Sequence, residues 1–199
     1  MIKSRKRLAK VDLNGGIMMS IINFGIYQYK EEEFETPCFV EKDTNKINGG
    51  IWACPENEYY SDWIAIAPFI AVLTSPNALM CSSRIVLKRE AKRLTLTPEN
   101  YKNFTDENDT LLFEKIKDFD CIHFSKALVE EVEAFEAYYV ESYQILNLEC
   151  IHDVYFIELD LDYMKSEVYV RYAFKRIADV MKHVMNTSVC KELLCENGL

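Results

Sequence analysis

The residues best placed to do chemistry are Asn48-Gly49-Gly50-Ile51-Trp52-Ala53, followed by Pro55, Tyr59, Tyr60 and Trp63. Paired glycines ahead of an apolar stretch let the backbone turn sharply or approach a ligand closely. The indoles and the tyrosine pair can form a floor on which a flat, positively charged ring stacks. The same aromatics also suit a core, with Tyr59 and Tyr60 covering two buried tryptophans. Few other arrangements compete. The chain has no GxGxxG, GxxxxGK[ST], GxSxG or HExxH segment. It has three histidines, all of which a multi-histidine metal centre would consume. Cys150-x-His152-Asp153 and Cys190-x4-Cys195 each lack a matching second half, so no metal site is expected. A cysteine nucleophile would need His123 or His152 brought beside Cys54 or Cys81. His123, flanked by Ile122 and Phe124, reads first as a structural histidine.

Gly-Gly-Ile-Trp-Ala followed by a tyrosine pair resembles the Gly-x-Gly-Ile-Tyr-Phe-Ala…Ser-x-x-Tyr segment of the diphtheria-toxin and poly(ADP-ribose) polymerase class of ADP-ribosyltransferases. In that class two aromatics sandwich the nicotinamide of NAD. A second segment, His152-Asp153-Val154-Tyr155-Phe156-Ile157-Glu158, is similar to the class's Asn-Glu-Tyr-Ile-Val-Tyr-Asp strand. Phe24-Gly25-Ile26-Tyr27-Gln28-Tyr29 falls where the class carries Leu-x-His-Gly, with Tyr27 and Gln28 in place of the histidine. The resemblance implies a split sheet, with NAD as substrate and Asp153 as the catalytic carboxylate, Glu158 standing second. It implies a nicotinamide site drawn from Tyr27, Gln28, Gly49, Gly50, Ile51, Trp52, Tyr59, Tyr60 and Trp63. A carboxylate there would stabilise the oxocarbenium-like charge that develops as the nicotinamide–ribose bond breaks. The Gly-Gly-Ile-Trp…Pro…Asp-Trp pattern is also similar to bacterial and phage proteins. The alternative function is a non-catalytic module that binds a protein partner, with a phage or mobile element as its source.

The elements that must position these residues follow from patterning. Ile21–Tyr29, Ile51–Ala53, Arg84–Lys88, Lys92–Leu96, Phe119–Phe124 and Val154–Leu161 read as strands, the last as a central one. Ser61-Asp62 can cap a helix running toward Leu73, interrupted at Pro68. Asp109 can cap another through Ile116, Leu128–Tyr143 has helical spacing, and Ser166–Met185 is a long amphipathic helix ending near Asn186. The fold class is therefore α+β, with a mixed, mainly antiparallel and possibly split sheet. Residues 1–17, basic and then polar ahead of Met18-Met19, read as an extension, and 18–199 as a single domain.

Composition sets the outer limits. Hydrophobic residues make up 49% of 199, enough for a sizeable core. A net charge of −9 opposes a general nucleic-acid surface, which needs a broad positive face. The glutamates Glu130, Glu131, Glu133 and Glu136 would instead suit a basic protein partner. Seven cysteines without regular spacing, mostly beside apolar runs, read as reduced thiols of a cytoplasmic protein. No run approaches the roughly 20 apolar residues of a membrane span.

Overall fold

The computed structural model describes residues 19–25, 31–66 and 81–187. The expected extension over 1–17, and Tyr27 and Gln28, lie outside these residues. Seven strands form one mixed sheet: β1 (Ser20–Gly25), β2 (Ile51–Pro55), β3 (Cys81–Leu87), β4 (Arg93–Leu96), β5 (Cys121–Phe124), β6 (Ser142–Ile145) and β7 (Ile151–Ile157). Their order is β4-β5-β6-β2-β1-β3-β7, antiparallel at every junction except β4–β5. Residues 62–66 are helical, and four short or long helices follow: α1 (Phe113–Ile116), α2 (Lys126–Glu131), α3 (Leu161–Met164) and α4 (Glu167–Asn186). The chain is α+β, with α4 as its long C-terminal helix.

The strand β2 changes partner along its length. This strand pairs with β6 through Ile51, Trp52 and Ala53, then with β1 through Cys54 and Pro55. A five-residue strand that changes partner halfway joins β4-β5-β6 to β1-β3-β7 as two halves. Where β1 leaves β2, the Asn23 side-chain amide donates to the Trp52 carbonyl at 2.8 Å. It satisfies an acceptor that the missing ladder would otherwise leave exposed.

Local chemistry explains the elements that held and those that did not. The Ser166 hydroxyl caps α4 by accepting from the Tyr169 N–H at 3.4 Å, with Glu167 in the first turn and His183 in the last favouring the helix dipole. The helix expected over Leu128–Tyr143 is instead α2, a single 3-10 turn at Glu133–Phe135, and β6. All four β6 residues are buried, so the stretch lacks the alternation that marks a half-exposed strand. Among the described residues β7 is an outermost strand, not a central one. Val154 and Phe156 share one face of β7, where Val154 packs on the second cluster and Phe156, farther along, stays 59% exposed. Asp109 caps no helix; α1 begins after Leu112, and Asp109 sits at a turn with φ 62°.

Three apolar clusters hold the layers together. The first joins Leu94, Leu96, Ile122, Phe124, Phe135 and Tyr138 under the β4-β5-β6 half. The second, on the opposite face, includes Ile21, Ile51, Ala53, Ile85, Leu87 and Ile145. The third, Cys54, Ile66, Val140 and Val180 with Trp63 and Ile177, seats α4 on the sheet. Each fully buried Ile, Leu or Phe in them contributes on the order of 1.5–3 kcal/mol of transfer free energy.

Candidate functional site

The Gly49-Gly50 pair turns out to serve the chain's own packing. Both residues are left-handed, at φ 78° and 73°. A Cβ on Gly49 would stand 2.6 Å from the Glu35 carbonyl oxygen, and one on Gly50 2.5 Å from that of Ile145. The close approach therefore brings the loop onto residues 35–37 and the end of β6. Gln144 completes it, its Nε2 donating to the carbonyls of Ile47 and Gly49 at 2.8 and 2.6 Å. Ile51 is buried. Trp52 follows into the first apolar cluster, its ring 5.9 Å from Phe124 and 5.6 Å from Tyr138. Trp63 lies in the third cluster beneath α4. The indoles are thus engaged by protein.

Asp153 lies on the same sheet face as Trp52 but far from it. Register carries Trp52 across β1 and β3 to the row of Ile157, and Asp153 stands four residues back along β7. Three strand spacings and four residue rises place the two roughly 19 Å apart. The Asp153 carboxylate accepts from the Val154 N–H at 3.0 Å and from the Tyr155 hydroxyl. These contacts settle an edge-strand backbone donor. Nearby on that face, Arg84 forms a two-pronged pair with Glu56, whose other contact is the Ser20 hydroxyl at 2.7 Å.

The sequence-derived residues that do meet are Tyr59, Tyr60 and the segment after Glu158. The Asp160 N–H donates to the Tyr60 hydroxyl at 3.2 Å, joining the turn after β2 to the end of β7. Around that contact stand Tyr163 of α3 and Tyr169 and Tyr172 of α4. Tyr60 meets Tyr163 edge-on at 6.1 Å, Tyr163 meets Tyr169 at 5.6 Å, and Tyr59 stacks on Tyr172 at 4.0 Å. Tyr60 holds φ 76°, a costly conformation for a bulky side chain. Glu158 is exposed just after β7, and Asp160 caps α3 by accepting from the Tyr163 N–H at 3.0 Å.

A charged frame fixes the inner side of this cluster. The Tyr172 hydroxyl donates to Asp62 and accepts from the Asn57 amide at 2.8 Å, while Arg176 pairs with Asp62 at 2.9 Å. Burial first, and then the bond donated to Asp62, hold the Tyr172 phenol well above its ordinary range. Burial pushes the Tyr169 phenol up to about 12, with smaller contributions from Tyr60 and Tyr163. Both rings therefore act as neutral, aromatic faces at any physiological pH.

The thiol arrangement does not assemble at Cys54, and the Cys81 side chain lies outside what the structure describes. Cys54 donates to the Glu141 carbonyl at 3.2 Å, and burial pushes its thiol far up. His123 instead joins the Glu141 carboxylate at 2.6 Å and the Thr95 hydroxyl at 3.3 Å, stacked flat on Tyr143. Burial likewise raises Cys121, and Cys150 to about 12, so none of the three is a thiolate near neutrality. No cluster of three metal-ligating residues exists among the described residues. Among them, too, no helix is long and apolar enough to cross a membrane. The expected acidic face survives in another form: Glu130, Glu131, Glu133 and Glu136 line a cavity of about 250 Å³ beside His183.

Sequence reasoning missed Tyr163, Tyr169, Tyr172, Asp62 and Asp160. A signal was present, since Tyr169 and Tyr172 share one helix face at i, i+3 just after a strong cap. Comparison with family models, curated proteins and solved structures returns no match.

Proposed function

We propose that the chain is an NAD-binding, ADP-ribosyltransferase-like protein that cleaves the nicotinamide–ribose bond at the tyrosine cluster. The observation that carries this reading is the Tyr60–Asp160 hydrogen bond. Through it, the tyrosine pair after the Gly-Gly-Ile-Trp segment touches the chain two residues beyond the stretch His152–Glu158.

The chemistry asked of the residues is modest. Tyr60 and Tyr163 offer aromatic faces to the cationic nicotinamide, an attraction of about 0.5–2 kcal/mol per face. Glu158, the exposed carboxylate just after β7, stabilises positive charge developing on the ribose as the C–N bond breaks. The electron pair leaves with nicotinamide, and water or a nucleophilic side chain of a protein acceptor takes the ribose. Asp153 has no part in this scheme.

Nicotinamide release, followed chromatographically with millimolar NAD, tests the proposal. The wild-type chain should release nicotinamide, and Glu158→Gln should bind NAD but release at least a hundredfold less, a loss of roughly 2.7 kcal/mol of transition-state stabilisation. No release and no NAD-dependent rise in melting temperature would sink it. One observation favours the protein-binding reading instead: Phe174, Met181 and Met185 of α4 are 68%, 47% and 59% exposed along one stripe. Phe174→Glu should leave NAD turnover intact if the transferase reading is right.

A further inference from the structure

The Tyr169 side chain carries an unusual debt. It is 3% exposed, yet its hydroxyl has no hydrogen-bond partner. A buried phenol normally finds an acceptor, because taking the group out of water uncompensated is costly. Within the same cluster Tyr172 has Asp62 and Asn57, and Tyr163 reaches the Glu58 carbonyl at 3.5 Å. Of the other orphaned buried atoms, the Ser83 and Thr105 hydroxyls and Gln144 Oε1 belong to the sheet and its loops, and Arg176 Nε belongs to a guanidinium already paired with Asp62 and Asp179. Only Tyr169 stands among aromatic faces, with Tyr163 at 5.6 Å, Tyr59 at 6.5 Å and Tyr172 at 6.4 Å.

We propose that Tyr169, on a helix outside the three stretches that resemble the transferase class, is a specificity residue that donates its phenolic hydrogen to the carboxamide oxygen of bound nicotinamide. This rests on the reading of the cluster as an NAD site. A flat cation with a carbonyl on its edge satisfies both features of the cluster at once: rings for its face, and an unpaired donor for its oxygen. For the ring to reach Tyr169, Tyr60 releases its bond from the Asp160 N–H; it closes the two-residue turn Glu58-Tyr59 with a left-handed backbone and is only half-buried. Tyr60 then turns from Tyr163 onto the ligand. A bare pyridinium would find the same faces but leave the phenol orphaned, so the hydroxyl discriminates by carboxamide and not by charge.

The test pairs two ligands with two proteins. Wild type should bind NAD at least tenfold more tightly than the analogue whose pyridinium ring lacks the carboxamide. Tyr169→Phe should bind both as weakly as wild type binds the analogue. Its melting temperature should stay level or rise, because an unpaired hydroxyl has been removed. Para-aminophenylalanine at position 169 restores a donor and should recover NAD affinity, which a merely structural role would not. If Tyr169→Phe binds NAD like wild type, or loses both ligands equally while the donor variant fails to recover, the inference is wrong and the NAD reading stands. If wild type binds neither ligand, both fall.

Discussion

Trp52 and Tyr60 are close in sequence, both aromatic, and both fit a nicotinamide floor, yet the fold uses them in opposite ways. Trp52 packs against the rings of Phe124 and Tyr138 and the aliphatic chains of the first cluster. Tyr60 sits in a cluster where hydroxyls, carboxylates and a strained backbone accumulate and one phenol goes unpaired. Aromatic residues thus mark a core where their surroundings are complete, and a site where they are not. The difference is decided by which elements arrive from far along the chain.

The largest effect should come from the complete region. Trp52→Ala removes an indole packed on Phe124 and Tyr138 and should cost about 3–5 kcal/mol in chemical denaturation. Tyr60→Ala should cost less, about 1–2 kcal/mol, since a half-buried ring loses its contacts while the Cβ, and with it the left-handed strain, stays. Equal losses would erase the contrast. Gly50→Ala comes next, at about 2 kcal/mol or more, because its Cβ meets the Ile145 carbonyl in a left-handed backbone.

This ranking also says what was legible in the sequence. The glycine pair was legible as a place of close approach, but the approaching group, the Ile145 backbone, lies in a strand whose first two residues read as the end of a helix. The α4 helix was legible to its caps because Ser166, Glu167 and the apolar spacing are all local. The partner change of β2 was not, since it depends on pairing between residues far apart in sequence. Asp153 was picked out by resemblance, but its place at the sheet edge follows from a strand order that no local pattern encodes. Tyr169 escaped for the same reason: spacing shows its helix face, not the three tyrosines that arrive beside it.

Smaller effects sharpen the comparison through pH. Tyr169 titrates near 12 in the folded chain against about 10 when unfolded. Between those values the folded chain binds more protons, so its contribution is complete below pH 10 and is lost as pH rises through 12. Tyr138, Tyr143 and Tyr172, also raised by burial, act in the same direction. Equilibrium unfolding should therefore weaken steeply above pH 10, and Tyr169→Phe should make that fall shallower. Thiol labelling followed by peptide mapping at pH 8 should modify exposed Cys38 far faster than Cys54, Cys121 or Cys150. The smallest effect belongs to Asp153→Asn, below about 1 kcal/mol, with nicotinamide release unchanged.

The most direct measurement is the NAD-dependent rise in melting temperature across three proteins: wild type, Trp52→Phe and Tyr60→Ala. Bound ligand stabilises by mass action, so the size of the rise at fixed NAD reports affinity. A site at the tyrosine cluster predicts that Trp52→Phe keeps the full rise while Tyr60→Ala loses most of it. A rise that vanishes in Trp52→Phe and survives in Tyr60→Ala would contradict the account and return the nicotinamide to the indole.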